Sequence, residues 1–389
     1  MIEIKNLDVV FGKKPDIALP LLDEGKDREQ IRNETGLVVG VKNASLSVGR
    51  GEICVLMGLS GSGKSSLLRC INGLNPVARG EILIERNGEM KDFVSADAAT
   101  QRDICQHDIA MVFQKFALMP WLTVEENVAM PLELQGMKKS EIKRRIDEQL
   151  EIVGLSEWRK LKPSELSGGM QQRVGLARAL ALETDILLMD EPFSALDPLI
   201  RSQLQDELLQ LQEKLKKTII FVSHDLDEAL KLGNHIAIMK DGEIVQHGKP
   251  EDIVLNPEND YVRDFVAHTN PLNVLRATSI MRELRSLWDQ SKGYCLNKKS
   301  DIWLDNDHQH VRYNEQSIPV HMWQEGDNVE QLRLVPVCVS ADMPIRDVME
   351  IRYYTGYPVL IKENNEIKGV IGDRELYHTL LGKMLSDDE

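Results

Sequence analysis

The sequence predicts an α/β fold: a largely parallel sheet with an inserted block of helices, followed by a smaller α+β region. Three observations predict it. A glycine-rich loop at residues 58–65 follows an apolar run of strand length, Glu52–Met57, and opens a helix. Strand-length apolar runs and helical stripes alternate as far as Met239. Between about residues 116 and 184 helical periodicity alone interrupts that alternation, as a helical insert in a parallel sheet would.

The first part of the chain contains the strands around the glycine-rich loop. A polar stretch from Lys13 to Thr35 carries a few apolar residues and indicates a loop-plus-helix insert. The predicted strands are Ile2–Val10, Val39–Val48, Ile53–Met57, Ile82–Ile84 and Ile109–Phe113. We expect Val39–Val48 and Ile53–Met57 to continue one sheet, with the last two runs as further strand candidates.

Helical patterns follow from Phe116. Thr123 precedes Glu126 by three residues, which is the spacing of a capping box at a helix start. Further helices are predicted at Ser140–Val153, Gly175–Leu182, around the stripe Leu204, Leu208, Leu211 and Leu215, and at Asp225–Leu232, with strands at Ile186–Met189, Thr218–Val222 and Ile236–Met239. Beyond Val266 the alternation stops, and His268–Pro271 is predicted to be a linker.

Composition excludes several classes of protein. The net charge of −15, without a long Lys/Arg run, argues against binding of a nucleic-acid backbone. The five widely spaced cysteines contain no C-x-x-C pair, so we expect neither a disulfide framework nor a zinc site, and a reducing cytosolic compartment fits best. No stretch of 18 uninterrupted apolar residues is present, so we expect no membrane-spanning helix.

The glycine-rich loop has the pattern of a phosphate-binding loop. Glycines allow successive backbone N–H groups to point at one anion in front of a helix N-terminus. Lys64 is expected to reach the β- and γ-phosphates of a nucleotide, and the Ser65 hydroxyl to bind Mg²⁺. An ordinary Gly/Ser turn is the alternative for the pattern by itself. The predicted nucleotide-binding residues are Gly58, Leu59, Ser60, Gly61, Ser62, Gly63, Lys64, Ser65 and Ser66.

Polar residues follow three other predicted strands. Asp190 and Glu191 end one of them, where Asp190 would hold Mg²⁺ through water and Glu191 would polarise the attacking water as general base. Gln114 and His224 end two more and are candidates for metal coordination and γ-phosphate sensing. Because ligands bind at the carboxyl ends of strands in such sheets, we expect these side chains to meet.

A second helix start with anion-binding character lies at Ser167, Gly168 and Gly169. The chain has no second phosphate loop to use it, so a second copy of the protein could supply the nucleotide across a dimer interface. An ordinary helix N-cap with a flexible lead-in is the alternative.

The order of these motifs resembles the ATPase subunit of an ATP-binding-cassette (ABC) transporter over residues 1–270, with a helical subdomain at about 116–184. The resemblance implies an ABC-type P-loop NTPase fold with a RecA-like parallel sheet. It also implies ATP and Mg²⁺ as ligands, and a homodimer in which Ser167 and Gly169 meet the partner's ATP and Asp197 joins the contact. Phe116–Thr123 would lie near the coupling helix of a separate permease. The family's usual adenine-stacking aromatic is absent before the second strand, and Phe11 is the candidate for that role.

Within that family the chain is similar to the subunits that drive import of glycine betaine, proline and choline, and closest to the choline type. The insert after Phe11 and the C-terminal extension carry this similarity. It implies integral-membrane permease subunits, an extracytoplasmic substrate-binding protein and a peripheral position on the cytoplasmic face of the membrane. Residues 271–389 resemble an α+β cystathionine-β-synthase (CBS) domain over Gly356–Ile371 and the helix from Arg374. Because 297–324 fits that pattern poorly, we expect a degenerate module.

Two other functions remain open from sequence. The ATPase of another ABC transporter class shares the same cassette motifs. A soluble ABC ATPase acting on ribosomes or DNA is disfavoured by the single cassette, the lack of sustained heptads and the negative charge.

Overall fold

The computed structural model describes residues 1–114, 116–194, 196–267, 275–289, 293–314, 316–324 and 326–380. The chain divides into two compact units, Met1–Ile253 with Pro257–Asp264, and Val254–Asn256 with Phe265–Glu389. The linker expected at His268–Pro271 lies outside the described residues.

The elements of residues 1–266 alternate much as expected. The strands are β1 (Ile2–Phe11), β2 (Val38–Val48), β3 (Ile53–Met57), β4 (Arg79–Arg86), β5 (Glu89–Asp92), β6 (Ile109–Val112), β7 (Ile186–Asp190), β8 (Thr218–Val222), β9 (His235–Lys240) and β10 (Glu243–Gly248). The helices are α1 (Ala18–Asp23), α2 (Arg28–Thr35), α3 (Lys64–Ile71), α4 (Ala98–His107), α5 (Val124–Leu134), α6 (Lys139–Ile152), α7 (Gly168–Ala181), α8 (Pro198–Leu215), α9 (Leu226–Leu232), α10 (Pro250–Leu255) and α11 (Asp260–Val266).

The main sheet has the strand order β10-β9-β3-β8-β7-β6. Strands β9, β3, β8, β7 and β6 are parallel, and β10 pairs antiparallel with β9 at one edge. Every residue of β3, β7 and β8 is buried. Such continuous apolar runs are what a parallel sheet covered on both faces requires.

The remaining strands form a second, antiparallel sheet of order β2-β1-β4-β5. The expectation that Val39–Val48 continues the sheet of Ile53–Met57 is therefore wrong, because β1, β2, β4 and β5 pair with one another. Their alternation, with Ile2 and Ile4 buried and Glu3 less so, is typical of antiparallel strands that bury one face. Both sheets contribute to one apolar core.

The insert between β1 and β2 contains two helices rather than one. Ala18 and Leu22 of α1 and Ile31 of α2 form a small apolar cluster with Val10 and Val39. A capping box of Asp27 and Gln30 starts α2, and Gly36 in the left-handed region (φ 72°) ends it. The insert is thus a packed element.

The helical block between β6 and β7 starts as the sequence predicts. Thr123 Oγ1 accepts from Glu126 N at 3.3 Å, and Glu126 Oε2 accepts from Thr123 N at 2.7 Å, so the capping box is confirmed. Helices α5 and α6 pack against α7. Helix α4 was not predicted, because its sequence is mostly polar.

The second unit contains two sheets. Its strands are β11 (Arg282–Glu283), β12 (Trp288–Asp289), β13 (Gly293–Asn297), β14 (Ile302–Leu304), β15 (His310–Tyr313), β16 (Gln316–Pro319), β17 (His321–Met322), β18 (Val337–Ser340), β19 (Val359–Glu363) and β20 (Glu366–Ile371), and its helices are α12 (Ala277–Ile280), α13 (Ile345–Thr355) and α14 (Asp373–Leu380). Strands β12 to β16 form an antiparallel meander, and a mixed sheet has the order β11-β20-β19-β18-β17. The strand, strand, helix succession expected from residue 356 is present as β19, β20 and α14.

Across the part of the chain that the structure describes, no helix is both long and apolar enough to cross a lipid bilayer.

Candidate functional site

The predicted site residues follow four neighbouring strands of the main sheet. The glycine-rich loop follows β3, His224 follows β8, Glu191 follows β7 and Gln114 follows β6, and these strands lie side by side in the order β3-β8-β7-β6. Because the four strands are parallel, their carboxyl ends share one edge of the sheet.

The glycine-rich loop has a backbone that few other residues could adopt. Gly58 and Gly63 have φ of 138° and 109°. A Cβ at Gly58 would lie 2.1 Å from the carbonyl oxygen of Met239, and one at Gly63 would lie 2.5 Å from that of Gly40. Both the conformation and the close approach therefore require glycine at these positions.

Lys64 lies folded against this loop at the start of α3. Its Nζ donates to the carbonyl oxygens of Gly58 at 2.8 Å and Leu59 at 3.0 Å. Burial lowers the pKa of the Lys64 ammonium group, and the charges of Glu191 and Asp190 partly oppose that shift. The hydroxyl of Ser62 in the same loop is buried and has no hydrogen-bond partner among the described residues.

Asp190 is fully buried at the end of β7 and has two partners on α3. The Ser65 hydroxyl donates to its Oδ1, and Nη2 of Arg69 donates to its Oδ2, each at 2.7 Å. Ser65 and Arg69 are four residues apart and therefore lie on one face of the helix. Arg69 was missed from sequence, although this spacing after the phosphate loop was a usable signal.

Glu191 is the residue on which the other strand-end side chains converge. Nε2 of Gln114 donates to its Oε2 at 2.9 Å, and Nδ1 of His224 lies 3.7 Å from the same oxygen. The Glu191 backbone has φ of 49°, in the left-handed region, and its N–H donates to the carbonyl of Val222 on β8. This carboxylate is thus held at the sheet edge by backbone and side-chain contacts.

A buried carboxylate lies beside His224. Oε2 of Glu228 accepts from the Ser223 hydroxyl, and its Oε1 accepts from Nε2 of Gln205 at 3.0 Å. Burial raises the pKa of Glu228, and these hydrogen bonds oppose that shift. The bond from Ser223 to Glu228 therefore fixes the segment that carries His224.

The second helix start has different surroundings. Ser167 caps α7, where its Oγ accepts from Met170 N at 3.3 Å. Asp197 caps α8 in the same way, accepting from Ile200 N at 3.1 Å. A cavity of about 490 Å³ is lined by both residues and by Gly154, Leu155, Trp158, Gly169, Met170, Arg173, Leu196 and Ile200. Within the described residues, no hydrogen bond joins this group to the phosphate loop.

Two further residues were missed from sequence. Arg178 of α7 is buried and donates to the carbonyls of Ala117 at 2.7 Å and Phe116 at 2.8 Å, two residues with φ of 47° and 56°. It holds the loop that follows Gln114. Arg28 of the insert donates to the backbone of the phosphate loop at Gly61. Both contacts join residues far apart in sequence, so no local pattern announces them.

Phe11, the candidate for stacking on adenine, ends β1. Its half-buried ring lies against the backbone of Gly40, where an added Cβ would come within 2.5 Å of the ring. Gly40 in turn approaches Gly63 of the phosphate loop. The Phe11 ring is therefore connected to the phosphate loop through Gly40.

Known proteins decide the family. The family model described as ABC transporter matches residues 41–194. The glycine betaine/carnitine transport ATP-binding protein GbuA of Listeria monocytogenes is 42% identical over 381 residues, which are 95% of this chain and 95% of that protein. The chain belongs to the ATP-binding proteins of ABC transporters.

Two further similarities refine this membership. The glycine betaine/proline betaine transport system ATP-binding protein ProV of Escherichia coli K12 is 50% identical over 281 residues, covering 72% of this chain and 69% of ProV. A dimeric post-hydrolysis structure of the ATP-binding cassette MJ0796, bound to ADP and Pi, is 32% identical with a TM-score of 0.54, and covers 64% of this chain and 99% of that one. The chain is thus an ABC transporter ATPase of the glycine betaine/proline betaine import family.

The site of this ABC ATPase fits its nucleotide. The glycine cradle leaves no room for side chains at Gly58 and Gly63, and the orphaned Ser62 hydroxyl offers a polar contact inside the loop. The oxygen donors of Ser65, Asp190 and Gln114 are the hard ligands that Mg²⁺ prefers. Among the described residues no cluster of three or more His, Cys, Asp or Glu could hold a metal.

Proposed function

We propose that this protein hydrolyses ATP to drive import of quaternary ammonium and related methylated amines through separate permease subunits. The observation that carries the catalytic part is the convergence of Gln114 and His224 on one carboxylate oxygen of Glu191. A water bound there would lie beside a proton acceptor, an amide and an imidazole. Those groups are what phosphoryl transfer to water needs.

The roles that we propose follow from these contacts. Glu191 accepts the proton of the attacking water, Gln114 and His224 orient that water and the γ-phosphate, and Lys64 binds the β- and γ-phosphates. The backbone from Gly58 to Ser66 cradles the phosphates, and Phe11 stacks on adenine. Ser65 and Gln114 would hold Mg²⁺, with Asp190 acting through water, and the ion would supply positive charge beside the phosphates.

We propose further that the hydrolysing species is a head-to-tail homodimer. Ser167, Gly168 and Gly169 would then meet the γ-phosphate held by the partner, with Asp197 at the contact. The cavity that Ser167, Gly169 and Asp197 line supports this, because within the described residues these three have no hydrogen bond to the chain's own phosphate loop. The similar MJ0796 cassette is dimeric in its post-hydrolysis state.

The transported solute is inferred from relatives and not from this chain. Similar proteins are named for glycine betaine, proline betaine and carnitine, and another, from Pelagibacter ubique, for trimethylamine N-oxide. The resemblance of the C-terminal extension favoured choline, which none of these names includes, so we place glycine betaine first and choline second. The permease would be an integral membrane protein with an extracytoplasmic substrate-binding partner, this subunit would lie on the cytoplasmic face, and no nucleic acid would take part.

For the C-terminal residues 271–389 we propose a degenerate CBS-like domain behind a nucleotide-binding domain of residues 1–270. The succession α13, β19, β20, α14 supports it. Glu375, at a position where CBS domains often carry Asp, is buried and accepts from Gly372 N at 2.8 Å, while Arg282 lies 3.3 Å away. Because this carboxylate is buried and bonded within the chain, it is not available to bind the ribose of a nucleotide. Removal of residues 272–389 should accordingly leave ATP hydrolysis by the isolated ATPase largely unchanged.

The experiment that tests the proposed function is uptake into vesicles that contain the complete transporter. Labelled glycine betaine, choline and an uncharged control solute are offered with ATP inside, and again with a Glu191→Gln subunit. ATP-dependent uptake of glycine betaine that is lost in the variant is the expected result. Equal uptake by both subunits would contradict the catalytic assignment, and choline uptake without glycine betaine uptake would reverse the order of solutes.

A further inference from the structure

The insert between β1 and β2 is fixed in place on the antiparallel sheet. Ala18 and Ile31 are completely buried in its small apolar cluster. Asp23 at the end of α1 binds Nη1 of Arg79 at 2.8 Å, and Nε of the same arginine donates to buried Asp8 at 2.7 Å. Side chains that this insert presents therefore have a defined position.

One such side chain reaches the phosphate loop. Arg28, the first residue of α2, donates from Nε to the carbonyl of Val39 at 2.7 Å and from Nη1 to the carbonyl of Gly61 at 3.1 Å. Gly61 lies in the middle of the glycine-rich loop. Its left-handed conformation, with φ of 80°, is one that few other residues adopt.

The charge of Arg28 has no carboxylate partner. Its two hydrogen bonds go to neutral carbonyl groups, and within the described residues no carboxylate oxygen lies within 4.0 Å of its guanidinium group. Arginine has five N–H donors, and these contacts use only two of them. A half-buried positive charge is costly unless an anion balances it.

We propose that Arg28 is a nucleotide-binding residue: its guanidinium group contributes positive charge and hydrogen bonds to the phosphates of the nucleotide that the glycine-rich loop holds. The insert of 12–37 is then part of the ATP site as well as a surface feature. The inference rests on ATP binding by this family and is independent of the transported solute.

Two alternatives for Arg28 make different predictions. If it served only to hold the insert on the loop, its loss would lower thermal stability without nucleotide and affect nucleotide binding no further. If it contacted the base, together with Phe11, whose ring lies against Gly40, its loss would change the preference between ATP and GTP. A phosphate contact predicts instead that ATP, ADP and GTP are weakened alike, and more strongly at low salt.

The experiment measures dissociation constants of MgATP, MgADP and MgGTP for the full-length protein, in the Glu191→Gln background to prevent turnover. The variants are Arg28→Gln and Arg28→Lys, with Arg32→Gln as the matched control. Arg32 is an exposed arginine of the same helix. Thermal unfolding without nucleotide is followed in parallel to report on the insert itself.

Arg28→Gln should weaken all three nucleotides about tenfold at low salt, as expected for loss of a charged hydrogen bond. Arg28→Lys should restore part of the affinity, and Arg32→Gln should change nothing. Three results would overturn the proposal: unchanged affinity in Arg28→Gln, a loss confined to stability without nucleotide, or an altered ratio of ATP to GTP affinity. Failure of the unmodified Arg28 protein to bind any nucleotide would instead refute ATP binding itself.

Discussion

The chain contains two helix starts suited to phosphate, and their surroundings differ. At α3 the side chains of Lys64 and Ser65 are engaged within the chain, and Arg69 and Ser65 both hold buried Asp190. At α7 the Ser167 hydroxyl bonds, among the described residues, only the N–H of its own first turn, and it lines a cavity. The first helix start lies beside the proposed catalytic residues, whereas the second has no hydrogen bond to a phosphate loop within the described residues.

In the proposed homodimer, each chain would carry one nucleotide site and the cover for another. Side chains that are already hydrogen-bonded at the sheet edge need little rearrangement to bind a nucleotide. A helix start that faces a cavity instead finds partners for its backbone N–H groups outside the chain. Within the chain Arg201 connects the two regions. Its Nη2 donates to Leu196, beside Asp197, and its Nη1 to Asp225, beside His224.

The largest effect is expected for Glu191→Gln, which would disable the site at α3 and leave the helix start at α7 unchanged. ATP should still bind, because the phosphate loop is untouched, but hydrolysis should fall by roughly 10²–10⁴-fold with loss of the general base. Steady-state phosphate release and binding of a fluorescent ATP analogue measure the two quantities. The exposed Glu213 provides the control, Glu213→Gln, which should hydrolyse ATP normally. Wild-type turnover by Glu191→Gln would rule out the role assigned to this carboxylate.

A smaller effect is expected for Ser65→Ala, which removes a proposed Mg²⁺ ligand and the hydrogen bond to Asp190. Affinity for ATP should fall roughly tenfold with Mg²⁺ present, in line with loss of one charge-assisted bond. With chelator in place of Mg²⁺, the variant and the wild type should bind ATP alike, since the lost contact acts through the ion. The prediction fails if the defect is the same with and without Mg²⁺.

The smallest effect concerns buried Glu228 beneath His224. Its pKa is raised by burial, while the Ser223 and Gln205 hydrogen bonds and the charge of Arg201 lower it and that of Asp225 raises it. The folded chain therefore binds this proton more tightly than the unfolded chain, so the contribution of Glu228 to stability falls as pH rises above the ordinary value of 4.5.

The Glu228→Gln variant cannot ionise at this position, so its stability lacks this dependence on pH. The difference in melting temperature between the variant and the wild type should shift in favour of the variant from about pH 5 to about pH 8. Differential scanning fluorimetry at the two pH values measures it, with Glu213→Gln as the control. A difference that shifts in favour of the wild type as pH rises would show that ionised Glu228 stabilises this region.

Much of the candidate site at the edge of the main sheet could be predicted from sequence, because polar residues that follow apolar runs mark the ends of strands. Gln114 and Glu191 are 77 residues apart, yet each directly follows an apolar run of strand length, and parallel strands bring such ends together. The capping box at Thr123 and Glu126 is equally local. These features depend on neighbouring residues and on one topological rule.

The sequence does not reveal which sheet a strand joins or which distant backbone a long side chain reaches. Alternation in β1 indicates a strand with one buried face, but its pairing with β2 and β4 depends on contacts across the fold. Arg28 contacts Gly61 from 33 residues away, and Arg178 contacts Ala117 from 61 residues away. Such contacts arise from packing, and the polar sequence of α4 likewise gives a weak helical pattern.

The most direct test of the proposal that the α7 helix start of one chain covers the nucleotide site of another is the ATP-dependent mass of the protein in solution. Static light scattering compares Glu191→Gln with the double variant Glu191→Gln/Ser167→Arg, in the presence and absence of MgATP. An exposed serine of α6 supplies the matched control, Ser140→Arg in the same background. The account predicts that MgATP doubles the mass of the single variant and of the Ser140 control. The Ser167→Arg protein should bind ATP and stay monomeric. A normal ATP-bound dimer of the Ser167→Arg variant would contradict the account.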